Sequence, residues 1–130
     1  MSDAVIDGAM CIPNITGAGR RRRRRFAVAM VVVGAVLFGA LTLLHVGPWA
    51  RALVGLPIAA AVASYLQVTR NTCVAHARSG MIEHEDFSTT AAPPDQSAAS
   101  RRVASTILRD AAIAGALVAT LSATSAFWLG

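Results

Sequence analysis

Residues 26–44 (FAVAMVVVGAVLFGALTLL) run for 19 positions without a charge, and residues 111–129 (AAIAGALVATLSATSAFWL) do the same. A hydrocarbon core of about 30 Å takes about 20 residues of helix to cross, so each run predicts a membrane-spanning helix. Residues 50–68 predict another, with Arg51 at the mouth of the run and Tyr65 near its far end. Between the first two runs, residues 45–49 (HVGPW) read as a turn, because proline cannot continue the helix ladder and glycine permits a reversal. Pro57 either kinks the second helix or delays its start, in which case the helix continues past Arg70. The predicted fold class is therefore all-α integral membrane, with three transmembrane helices arranged as a helical hairpin plus a C-terminal span.

The polar positions divide the rest. Residues 1–25 read as a flexible cytoplasmic tail ending in an arginine block, 26–69 as the hairpin, 70–110 as a cytoplasmic loop and 111–130 as the third span. Asn14-Ile15-Thr16 matches a glycosylation pattern that would be silent on a cytoplasmic tail. Within the loop, residues 71–79 are expected to extend the second helix by two turns, with Gly80 as its stop. Glu83, His84, Glu85 and Asp86 form an acidic knot. Residues 89–100 (TTAAPPDQSAAS) have the composition of a disordered or extended segment. Asp95 or Ser97 then caps a helix that runs through Arg101 and Arg102 into the third span.

Composition supports a lipid environment. Hydrophobic residues make up 55% of the 130 positions but aromatics only 5%, so alanine, valine, leucine and glycine fill the chain. Small residues suit helices that pack closely in lipid. All twelve basic residues are arginine, which together with the alanine content resembles the product of a GC-rich bacterial genome. A net charge of +5 raises nucleic acid as a partner. The distribution argues against it, because half the arginines sit in one block with no interleaved aromatics to stack bases. Cys11 and Cys73 are too few for a disulfide framework.

Charge also gives direction. Arg20, Arg21, Arg22, Arg23, Arg24 and Arg25 abut the first span, and Arg70, Arg78, Arg101, Arg102 and Arg109 lie in the loop. With the N-terminus cytoplasmic, eleven arginines fall inside and only Arg51 outside, a strong positive-inside bias. Trp49 and Trp128 then both fall at outer ends, where indole rings sit at headgroup level. The expected location is the bacterial cytoplasmic (inner) membrane, N-terminus inside and C-terminus outside. A cleaved export signal is the rival for the first span, with Arg23-Arg24-Arg25-Phe26 and an Ala50-Arg51-Ala52 cleavage pattern. Its apolar stretch is too long for a signal core, and two further spans follow.

Candidate sites follow from the same features. The arginine block, with Arg102 and Arg109 seven apart on one helix face, is a topology anchor for anionic lipid headgroups. Its arginines are also opposite in charge to Glu83, Glu85 and Asp86. Small residues recur at four-residue intervals as Ala35 and Gly39, as Gly55, Ala59 and Ala63, and as Ala111, Gly115, Ala119 and Ala123, the pattern of helix contact faces. The partner helices, internal or from another chain, are not specified by the pattern. Cys73, His76 and His84 come nearest to a metal-ligand set, but their spacing matches no zinc pattern, and neither metal nor cofactor is expected. Arg70 and Arg78 flank Cys73 and would favour its thiolate.

No acidic or basic residue lies in the central part of any span, which argues against a pump or ion-coupled carrier. Phosphate loops, nucleophile elbows and metalloprotease motifs are absent from the sequence, so no enzyme is expected. The leading expectation is an accessory, assembly or scaffolding subunit working through helix–helix and lipid contacts. One alternative is a self-associating pore, similar in size and span number to the holins, although that family typically runs in the opposite direction. A thiol or metal sensor at the membrane surface, built on Cys73, His76 and His84, is a further alternative.

Overall fold

In a computed structural model the chain is mostly helical, and residues 5–6, 9–10, 16–83 and 88–129 are described. Three helical stretches are long and apolar enough to cross a membrane: Gly17–Leu43, Pro48–Thr69 and Pro94–Phe127. The chain divides into two compact units, one of Met1–Arg24 with Ser64–Arg109 and one of Arg25–Ala63 with Asp110–Gly130.

Helix α1 (Gly17–Leu43) begins before the arginine block and contains all of it. Thr16 explains the start: its hydroxyl accepts the Gly19 amide at 3.1 Å and its carbonyl accepts the Arg20 amide at 2.9 Å, an N-cap geometry. The block, expected to close a flexible tail, is therefore helical. Six cations in the early turns oppose the helix dipole and repel one another. What carries the helix through them is its continuity with the apolar run behind. At the other end, Val46 N–H bonds the Leu41 carbonyl and His45 N–H the Thr42 carbonyl, both at 3.1 Å. His45 takes φ 53° to close this Schellman motif, a position usually given to glycine.

The second stretch combines α2 (Pro48–Arg51), a 3-10 turn (Ala52–Val54) and α3 (Gly55–Thr69). Pro48 opens α2 at a position where the missing N–H costs nothing. Pro57 neither breaks the stretch nor delays it. Its ring crowds the carbonyl four residues back, that of Leu53, and the backbone answers by tightening to 3-10 geometry there.

Helix α3 stops at Thr69 rather than extending into the loop. Asn71 adopts φ 50°, and Thr72 N–H bonds the Gln67 carbonyl at 3.0 Å, a second Schellman motif. A separate helix α4 (Val74–Ser79) follows and ends on Gly80 at φ 71°, the expected stop. Two short antiparallel pairs complete the unit: β1 (Val5–Ile6) with β2 (Ala9–Met10), and β3 (Met81–Glu83) with β4 (Thr89–Ala91) in the register Met81↔Ala91, Ile82↔Thr90, Glu83↔Thr89. Strand β4 and the start of α5 (Pro94–Thr124) occupy residues 89–100, the segment read from composition as disordered or extended. Neither Asp95 nor Ser97 caps α5. Pro94 is its first residue and Asp95 lies in its first turn, where a carboxylate complements the dipole. A 3-10 turn (Ser125–Phe127) ends the third stretch.

Along α5 the buried positions Ala104, Ile107, Ala111, Gly115 and Ser122 are spaced by three, four, four and seven residues, the spacing of a coiled-coil seam. In the first unit the buried set is Gly19, Ser64, Val68, Thr72, Cys73, Ala77, Ser97, Ala99, Ser100, Val103, Ala104 and Ile107. In the second it is small: Ala27, Gly34, Arg51, Val54, Gly55, Ala61, Ala111, Gly115 and Ser122.

Candidate functional site

The first unit holds a polar joint built by three elements. Arg23, half-buried on α1, donates from Nε to Gln67 Oε1 at 3.2 Å and from Nη2 to Cys73 Sγ at 2.7 Å. The same Gln67 oxygen accepts the Val74 amide at 3.1 Å, satisfying the first N–H of α4. One glutamine on α3 thus caps α4 and receives the only half-buried arginine among Arg21 to Arg25. Arg70 donates to Thr106 Oγ1 at 2.9 Å, and that hydroxyl donates on to the Val103 carbonyl at 2.7 Å.

Arg21, Arg22, Arg24, Arg25, Arg102 and Arg109 are exposed, and Arg20 is half-buried. The arginines of the block therefore separate: Arg23 turns inward to the joint while Arg21, Arg22, Arg24 and Arg25 stay exposed. Cys73, only 2% exposed, is screened from solvent, and the arginine on its sulfur is Arg23 from a distant part of the sequence. His76 is half-buried on α4 with Nδ1 unpartnered. His84, Glu85, Asp86 and Cys11 lie outside the described residues, as does the Glu83 side chain. Among the described residues no three His, Cys, Asp or Glu side chains gather as a metal set.

In the second unit the small-residue ridges of α3 and α5 face each other. A Cβ placed on Gly55 would lie 2.5 Å from the Gly115 carbonyl oxygen and 2.8 Å from Ala119 Cβ. One placed on Gly115 would lie 2.7 Å from Ala59 Cβ. The backbones approach too closely for any side chain at these two glycines. On α1 the contact is made one residue off the expected ridge. Gly34 is buried, with Ile58 Cδ1 2.8 Å from where its Cβ would be, whereas Ala35 is exposed and Gly39 has nothing within 4 Å. Ala63 and Ala123 are half-buried, and Ala111 is buried.

Arg51 is the residue whose burial the sequence did not show. Expected at the mouth of a span, it is 0% exposed. Its Nε donates to the Val46 carbonyl at 3.0 Å and its Nη1 to Ser125 Oγ at 3.3 Å, while Nη2 is buried without a partner. Ser125 Oγ donates in turn to the Ser122 carbonyl at 2.5 Å. The guanidinium so links the turn after α1 to the end of α5. The Thr42 hydroxyl, in the last turn of α1, is a second buried polar group without a partner.

No protein-family model matches the chain, and no curated protein or solved structure is significantly similar to it. Two of these features were missed by sequence reasoning: the Arg23–Gln67–Cys73 joint and the burial of Arg51. The joint has no local signal, since its members are 44 and 50 residues apart. Arg51 did carry one, as the single charge between residues 26 and 69.

Proposed function

We propose that this chain is an integral membrane protein with three spanning helices, acting as an accessory, assembly or scaffolding subunit through helix and lipid contacts and without a catalytic step of its own. One observation carries the reading. In the most apolar 18-residue stretch of each long helix, only 11%, 22% and 28% is buried within the protein. Val28, Val36, Leu56, Leu117 and Leu121 are all more than 60% exposed. Withdrawing a valine or leucine from water is worth about 1.5–3 kcal/mol, and domain stabilities are only about 5–15 kcal/mol. Surfaces this apolar require hydrocarbon, from lipid or from the helices of a partner.

The arginine distribution gives the orientation: eleven on the cytoplasmic side and Arg51 alone on the outer side, in a bacterial inner membrane. Trp49 and Trp128, 89% and 83% exposed, are free to take headgroup positions at the outer face.

The test is to isolate the C-terminally tagged protein from its native membrane in mild detergent and identify every chain that accompanies it. A reproducible stoichiometric partner is expected. A lone monomer with no cross-linkable neighbour would overturn the subunit reading. A homo-oligomer whose induced expression collapses the membrane potential would replace it with the pore.

A further inference from the structure

The guanidinium of Arg51 has no side-chain counter-charge among the described residues of its unit. Among the described residues that unit contains a single carboxylate, Asp110, which lies fifteen residues before Ser125 on the same helical stretch, about 22 Å along the axis at 1.5 Å per residue. Arg51 itself is held at the level of Ser125 by the bond from Nη1. Its acceptors are a carbonyl and a hydroxyl, both neutral, and Nη2 has none. A fully buried cation is stable only when paired and hydrogen-bonded. The second unpartnered group, the Thr42 hydroxyl, belongs to the turn whose Val46 carbonyl Arg51 grips. Two unused donors, one of them charged, require an anionic acceptor.

Position and surroundings select the anion. Trp49 lies two residues before Arg51 and Trp128 three residues after Ser125, and both are exposed. Indoles seek the headgroup layer, which puts Arg51 at the depth of lipid phosphates. Trp49 and Ala52, on either side of Arg51 in sequence, line a mostly apolar groove of about 540 Å³ with Ala119, Thr120, Ala123 and Phe127. Such a groove suits an acyl chain. The planar fork of arginine suits two phosphate oxygens.

We infer that Arg51 is the phosphate-binding group of a site for one anionic phospholipid of the outer leaflet, with an acyl chain in the groove between Trp49 and Phe127. The site rests on the membrane reading given above. It is distinct from the arginine block, which meets headgroups diffusely at the opposite membrane face. Ser125 is the gate. It sits in the terminal 3-10 turn, and a phosphate oxygen takes its place as acceptor for Nη1.

The experiment is reconstitution of the full chain in nanodiscs containing phosphatidylglycerol and phosphatidylcholine, followed by extraction and quantitation of retained lipid. Arg20 to Arg25 are changed to glutamine throughout, which removes the diffuse background. About one phosphatidylglycerol per chain should be retained, enriched about tenfold over phosphatidylcholine, and retained at about 0.5 M salt because a buried pair is screened little. Arg51→Gln should abolish the enrichment, and Thr42→Val should weaken it. Ala123→Phe, which fills the groove and leaves the guanidinium in the chain, should also abolish it and serves if Arg51→Gln does not fold. Equal retention of the two lipids, or enrichment that survives Arg51→Gln, would overturn the proposal. Displacement by millimolar inorganic phosphate with no effect of Ala123→Phe would make this a free-phosphate site instead. Release of the protein from vesicles by alkaline carbonate would overturn the membrane reading itself.

Discussion

Glycine does different work at different places along these helices, and substitution separates the roles. At Gly55 and Gly115 an added methyl meets backbone or a neighbouring Cβ at 2.5–2.8 Å, so one helix must move away from the other. Overpacking of this kind costs about 1–3 kcal/mol. Gly55→Ala and Gly115→Ala should therefore lower stability by that amount in denaturant titrations of the micelle-bound protein followed by circular dichroism. Gly39 has open space around its Cβ position, and Gly39→Ala should be neutral or raise stability by about 0.5–1 kcal/mol through helix propensity. A loss at Gly39 as large as at Gly55 would mean that the α1 ridge is also a contact face, occupied by a helix from elsewhere. The four-residue spacing of small residues was legible in the sequence because it is a property of one helix. Which ridge meets which was not, since spacing describes a surface and never its partner. The same limit applies to Arg51: its rarity within an apolar run could be read, but the carbonyl and hydroxyl that receive it come from residues 46 and 125.

At the scale of elements, the ends of α1, α3 and α4 share one device, a residue in the left-handed region, and the sequence announces only one of them. Gly80 was legible because glycine is the ordinary choice there; His45 and Asn71 do the same work with side chains that carry no such label. Left-handed backbone costs a branched residue about 1–2 kcal/mol. Asn71→Val should lose about that much and Asn71→Gly should lose nothing, measured by thermal unfolding in detergent. Equal effects of the two would show that the Asn71 side chain, rather than its backbone, shapes the break between α3 and α4. Two other elements escaped for a related reason. Strands β3 and β4 have three residues each, too few for an alternation to be read. The first turns of α5 were hidden by a composition rich in proline, alanine and serine, although Pro94 is a sound N1 residue. The joint between α1, α3 and α4 gives a further test. Arg23→Leu removes the donor from both Gln67 Oε1 and Cys73 Sγ. The buried sulfur should then react with maleimide faster than in the parent protein, and an unchanged rate would show that the shielding comes from the surrounding helices alone.

For the molecule as a whole, the proposed orientation rests on two groups of arginine that experiment can separate. The block supplies Arg20 to Arg25, and the segment between the second and third spans supplies Arg70, Arg78, Arg101, Arg102 and Arg109. With the block changed to glutamine the bias falls from eleven against one to five against one, and it keeps its sign. Positive charges act within about 15–20 residues of a span end, and the first span does not always dominate. Arg70 and Arg78 lie within that distance after the second span, and Arg101, Arg102 and Arg109 lie before the third, so the remaining five all count. The block-neutralised protein should accordingly keep its N-terminus inside in most molecules. Changing Arg70, Arg78, Arg101, Arg102 and Arg109 as well should scramble or invert it, because Arg51 is then the only arginine left. Reporter fusions at the C-terminus, combined with impermeant labelling of a cysteine added near the N-terminus, read both outcomes. Inversion by the block substitutions alone would show that the first helix sets direction unaided. The five loop arginines would then not be needed for direction, and Arg102 and Arg109, exposed on α5, would be the first to examine as headgroup or partner contacts.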